Sequence, residues 1–220
     1  LVAFEATRAK ERRAAGETLD ADETAAVARF DAAMAKLEAL QQGDFEGIFR
    51  AMDGLPVVIR LIDPPLHEFL PPHEELLETV VRLRTLGTPE ADPEYAAART
   101  LLAAVERLRE QNPMLGLRGC RLGLMIPDFV KVQTRAILNA QIAVKRAGGD
   151  PRAEIMIPLV GHVNELRVTR QLLEAEATAV EARAGLNVDY KFGTMIEIPR
   201  ACWVADEIAR SDITGKQVAV

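Results

Sequence analysis

Two hydrophobic patterns alternate along this chain: stripes with helical spacing, and short unbroken apolar runs. Residues 1 to 52 are rich in Ala, Glu and Arg and predict helices. The clearest is DADETAAVARFDAAMAKLEAL, where Ala26, Phe30, Met34 and Leu37 form an apolar stripe and Asp20 or Asp22 can cap the start. GDFEGIFRAM predicts a shorter amphipathic turn running into Gly54. The next run, GLPVVIRLIDPPLHEFLP, predicts a strand over 56–62, buried on both faces and ending in a Pro-rich loop. Helical spacing returns over about 73–85 and 93–110, separated by GTPEADP. NPMLGLRGCRLG is punctuated by glycine and has short strand potential around Leu117. DFVKVQTRAILNAQIAVKRAGG predicts a helix with Asp128 as N-cap and Gly148 as terminator; its stripe is Phe129, Val132, Ala136, Ala140 and Val144. AEIMIPLV predicts another buried strand, VNELRVTRQLLEAEATAVEARAG a helix, DYKFGTMIEIP a long strand, and RACWVADEIARS a closing helix.

Strands alternating with helices of this length predict βαβ units around a parallel sheet, hence an α/β fold. In such folds chemistry sits at the carboxyl ends of the strands, in the βα loops. Arg60 and Asp63 end the first strand, Arg118 and Arg121 flank the expected short strand, and Glu197 comes late in the last strand between apolar neighbours. Two arginines and a carboxylate suit an anion site beside a metal site, because guanidinium forks grip phosphate or carboxylate and a carboxylate coordinates Mg2+. Burying Glu197 unpaired would be costly, so a cation or an arginine is its expected partner. Residue types and spacing leave two readings open: a functional rim, or a structural ion-pair network.

Composition narrows the classes. A chain of 220 residues, 49% hydrophobic, holds one large domain or two small ones with a substantial core. Its net charge of -6 argues against a nucleic-acid or membrane-surface partner. No apolar stretch approaches the roughly 20 residues needed to cross a bilayer, and no secretory leader opens the chain, so a cytoplasmic enzyme or enzyme piece is expected. Cys120 and Cys202 are unpatterned and suggest neither a disulfide framework nor a zinc site.

Five stretches carry more specific information: GDFEGIFRAMDGLPVVIRLIDPPLHEFLP, NPMLGLRGCRLG, FVKVQTRAI, EIMIPLVG and GTMIEIPRA. In this order they resemble the carboxyl-terminal, phosphoenolpyruvate-binding barrel of the pyruvate, phosphate dikinase family, over most of residues 43–205. IRLIDPPLHEFLP is the specific part. Phosphoenolpyruvate synthases and enzyme I of the sugar phosphotransferase systems share the barrel and look different there; TMIEIPRA is only a superfamily signal. The resemblance implies a (β/α)8 TIM barrel, with about four of its strands in this chain, binding phosphoenolpyruvate or pyruvate with Mg2+. It implies a phosphotransferase that converts ATP, pyruvate and phosphate to AMP, phosphoenolpyruvate and diphosphate. Phosphohistidine and ATP-grasp domains elsewhere in the parent protein would be its partners, and a homodimer its assembly. By motif position, Arg60 and Arg118 resemble the catalytic arginines that hold the transferring phosphoryl group. Glu197 resembles one of two carboxylates binding the Mg2+ that also grips the substrate. Arg121 either pairs structurally or touches ligand. The implied division is a helical segment over 1–42, the partial barrel over 43–211 and a divergent tail over 212–220.

Two departures from the family stand out. Leu117 occupies a position that is often polar. The tail ARSDITGKQVAV lacks the strand that brings the second metal carboxylate in the family, and the later proton-donating cysteine is missing too. A fragment is therefore expected. It is either part of an active dikinase or a catalytically inactive piece that retains an anion-binding or interaction role. Other candidates have plainer readings: His67, His73 and His162 as surface or capping residues, and Cys120 as a small buried one. Asp63 and Glu68 read as loop-stabilising acceptors, and Trp203 as a core aromatic of the closing helix. The glycines of GLRGCRLG have the wrong spacing for a dinucleotide loop, and no helix is expected immediately after them.

Overall fold

The computed structural model describes residues 2–64, 70–108 and 116–210. Its elements are α1 (Val2–Ala14), α2 (Ala21–Ala51), β1 (Pro56–Arg60), α3 (His73–Thr85), α4 (Pro93–Leu108), α5 (Gly119–Met125), α6 (Pro127–Arg146), β2 (Arg152–Ile157), α7 (Val163–Ala184), β3 (Tyr190–Thr194), α8 (Pro199–Trp203) and α9 (Ala205–Ala209). They fall into two compact units, Leu1–Asp63 with Gly119–Val220, and Pro64–Arg118. The molecule is mixed α/β and mostly helical, with a small parallel sheet.

In the first unit the sheet has the order β1-β2-β3, every pair parallel. Val57, Ala153 and Tyr190 stand in register, as do Ile59, Ile155 and Phe192. Period-2 alternation sends Val57, Ile59, Ala153, Ile155 and Ile157 to one side, where they pack with Ile137, Ala140 and Val144 of α6 and Leu166 and Leu173 of α7. The other side carries Val58, Glu154 and Lys191 across one row. Val58 is 53% exposed, so β1 is not buried on both faces as expected. The unbroken apolar run hid a strand with only one covered face, which Val58 alone could not reveal.

α6 is buried on almost every side, because α2, α7 and β2 all pack on it. That explains why its buried set, which includes Val130, Ile137, Leu138, Gln141 and Ile142, is wider than the expected stripe. Asp128 is not its N-cap. Ile126 holds that position with Pro127 at N1, and Asp128 instead receives Lys10 Nζ at 2.5 Å, tying α1 to α6. Asp20 does cap α2, in a full capping box with Glu23.

Three further expectations are corrected. GDFEGIFRAM is no separate turn but the last stretch of α2. Leu117 precedes a helix rather than forming a strand: α5 starts at Gly119, so a helix does follow the first glycines, and the described sheet has three strands rather than four. The closing helix is split at Val204 into α8 and α9, and Trp203 is 87% exposed, so it is no core residue.

The second unit is a helix pair, α3 packed against α4. Asp92 starts α4 by accepting the N–H groups of Glu94 and Tyr95. Tyr95, Leu102 and Val105 are among its buried residues.

Candidate functional site

The carboxyl ends of the three strands gather the polar groups of interest in the first unit. Arg60 is the last residue of β1, and its Nη1 lies 3.2 Å from Asp63 Oδ2. The Asp63 side chain is 2% exposed and that of Arg60 is 51% exposed. A carboxylate so buried needs a counter-charge, whereas half of the arginine remains in water. The two readings left open by the sequence therefore coincide here: Asp63 anchors, and Arg60 still presents cationic surface. Gln133 of α6 fixes the same loop, its Oε1 accepting the Ile62 N–H at 2.6 Å.

The loop after β2 is held from three directions. Thr194 Oγ1 and the Met195 N–H both donate to the Ile157 carbonyl, locking the ends of β2 and β3 together. From α5, the Cys120 N–H donates to the Pro158 carbonyl at 3.1 Å and the Cys120 Sγ to the Leu159 carbonyl at 3.2 Å. Burial pushes the Cys120 thiol up to about 12, with the nearby Glu165 carboxylate adding to the shift, so it stays protonated and able to donate. Gly119 makes this approach possible. Its φ is +54°, and a Cβ there would sit 3.0 Å from Asp63 Oδ1 and 3.1 Å from the Pro158 carbonyl. Glu165 closes the turn by accepting the Gly161 and His162 N–H groups, and His162 Nδ1 accepts the Asn164 N–H, which makes this histidine the N-cap of α7.

Glu197 departs from its expected setting. It lies beyond the end of β3 and is exposed. Its partner is a backbone amide instead of a cation: Oε1 accepts the Leu159 N–H at 2.8 Å. No desolvation penalty demands a counter-charge at such a position. Arg60 and Glu197 thus share the carboxyl end of one sheet. Arg118 is the last residue of the second unit, buried and already engaged in an interaction, and Arg121 in α5 is likewise partnered. His73, at the start of α3, lies 3.5 Å from Glu106. His67 and Glu68 lie outside the described residues. Sequence reasoning missed Gln133 and Leu159. Gln133 sits in FVKVQTRAI, where one polar residue on a buried helix was the available signal. Leu159 gave no signal, since its importance lies in its backbone.

No group of three or more His, Cys, Asp or Glu side chains that could hold a metal ion occurs among the described residues. Glu197 fits a metal as a single ligand: it is an exposed carboxylate with one oxygen engaged and, among the described residues, no partner on the other.

A one-sidedly covered parallel sheet, with an arginine ending one strand and a carboxylate on the loop beyond another, defines an α/β domain with its polar chemistry at the strand ends. The family profile of the PEP-utilising enzyme, PEP-binding domain matches residues 4–213, and the chain belongs to that family. It is 49% identical over 179 residues to the chloroplastic pyruvate, phosphate dikinase of Flaveria pringlei, covering 81% of this chain and 18% of that protein. It is 51% identical over 177 residues to pyruvate, phosphate dikinase 2 of Zea mays, covering 80% and 19%. The chain thus spans under a fifth of the length of these relatives.

Proposed function

We propose that this chain forms part of the phosphoenolpyruvate- or pyruvate-binding side of a pyruvate, phosphate dikinase. The observation that carries this reading is the placement of Arg60 and Glu197 at the carboxyl end of one parallel sheet, within a chain about half identical to dikinases. Arg60, held by Asp63 and half in solvent, is suited to grip an anionic phosphoryl group. Arg118 enters through its motif alone, as the second arginine for that group. Glu197 would be the Mg2+ ligand, and Mg2+, when bound, offsets negative charge building on the reacting oxygens. What the chain itself contributes is preorganisation: its loops hold a cation and an anion in place before substrate arrives.

The proposed architecture is a segment of a (β/α)8 barrel. Each strand adds on the same side of the one before, without the reversal of a doubly wound sheet, and α6 and α7 cover one face only. The row Val58, Glu154, Lys191 would then face a barrel interior. Phosphohistidine and ATP-binding domains, a homodimeric assembly and a cytoplasmic location belong to the same proposal. Its test is calorimetric titration of the chain with phosphoenolpyruvate and Mg2+. Loss of one charge-assisted contact in Arg60→Ala or Arg118→Ala should weaken binding by about 1.5–3 kcal/mol, and Glu197→Ala should abolish the Mg2+ dependence. Binding indifferent to all three substitutions would remove these residues from the site.

A further inference from the structure

The turn after β2 holds a leucine in a conformation that leucine avoids. Leu159 has φ 61°, and among the described residues it is the one non-glycine with a positive φ. There its Cβ crowds the following carbonyl. Such a backbone persists where its surroundings over-determine it, and here they do. Cys120 grips the carbonyls of Pro158 and Leu159, which belong to the two peptides flanking the Leu159 Cα, and the side chain of Leu159 is buried at 5% exposure. Gly161 lies two residues on, where a Cβ would come within 2.6 Å of Ile198 Cδ1 and force that side chain to shift. The product of this strain is a single vector: the Leu159 N–H points at Glu197 Oε1. An exposed carboxylate without such a contact would sample several rotamers.

We infer that Leu159 is a positioning residue for Glu197: its left-handed backbone delivers an N–H to Oε1 and presents Oε2 as the oxygen left for a cation. The inference rests on the proposed role of Glu197 as a metal ligand, and it specifies that role as ligation through one oxygen. A rotation of Leu159 to an ordinary φ would swing the peptide N–H away and release the carboxylate.

The test uses the full chain, labelled for amide exchange and titrated with Mn2+ under electron paramagnetic resonance. Glu197→Gln retains an acceptor oxygen and should keep protection of the Leu159 amide within about three-fold, while Glu197→Ala should lower it about ten-fold or more. Both changes are at an exposed residue, so folding is not at stake. Leu159→Gly keeps the N–H and adopts positive φ freely; Leu159→Val, β-branched, resists it. Mn2+ affinity should stay within about three-fold of wild type in the glycine variant and fall about five-fold or more in the valine variant. Exchange at Leu159 that ignores Glu197→Ala overturns the inference, as does equal Mn2+ affinity in the two Leu159 variants. Should Glu197→Ala leave wild-type Mn2+ affinity intact, the metal-ligand reading falls separately, and the exchange result still decides whether Leu159 fixes the carboxylate.

Discussion

At Cys120 a thiol serves as a hydrogen-bond donor, and that use has a pH signature. Burial pushes its ionisation up to about 12, and burial pushes the Tyr190 hydroxyl up to about 12 as well, with Glu174 and Glu181 adding to the shift. Unfolded, these groups ionise near about 8.5 and 10. Below those values both states keep the protons and nothing is lost. As pH rises further the unfolded chain releases protons that the folded chain retains, so stability falls from about pH 9 towards 12. Urea denaturation across that range should show the decline. Cys120→Ala should flatten its lower part and Tyr190→Phe its upper part; identical slopes in all three proteins would contradict the assignment. Residues such as Asp63 and Asp20 were legible in the sequence because their chemistry is local: a short acid at a strand or helix end finds nearby donors. Leu159 and Trp203 were not, because strain and exposure are set by what packs around a residue and not by its type.

Among the helices, α7 carries the least ordinary burden. Arg170 is fully buried, its Nε 2.8 Å from Glu174 Oε1 and its guanidinium 5.3 Å from the ring centre of Phe192 on β3. A helix face that packs on the sheet thus encloses a cation, supported by a carboxylate one turn away and by an aromatic face. Truncation leaves Glu174 without that partner. Arg170→Ala is expected to cost about 3–5 kcal/mol by chemical denaturation, with Arg170→Met milder because it refills the volume. A loss below about 1 kcal/mol for the alanine variant would mean the pair is better solvated than its burial indicates. Periodicity found the helices readily, since α2, α6 and α7 are long enough for several turns of pattern. It failed at boundaries where chemistry, not period, decides. Gly43 and Gly47 did not stop α2, Val204 did split the closing helix, and Gly119 opened a helix that a glycine count alone read as irregular.

At the scale of the whole chain, the sheet has exposed edges and one uncovered face among the described residues. β1 and β3 are edge strands, and Leu55 and Val58 are 54% and 53% exposed. Unpaired edges beside apolar surface invite association. Sedimentation velocity should show concentration-dependent self-association of the chain. Val58→Lys should reduce it, since the new cation would stand opposite Glu154 in the parallel register. A monomer at every concentration would count against that picture. The parallel sheet itself was legible from alternating runs and stripes; its one-sided cover was not, because coverage depends on segments distant in sequence. The joints of the second unit have their own implication. The first unit breaks off at Asp63 and resumes at Gly119, and those two residues meet: a Cβ on Gly119 would lie 3.0 Å from Asp63 Oδ1. The excursion between them starts and finishes at one spot, and closing such a loop costs little more however long it grows. The first unit can therefore host inserts of very different size at this junction. Asp63 and Gly119 thus pin both ends of the excursion from within the first unit, whatever lies between them.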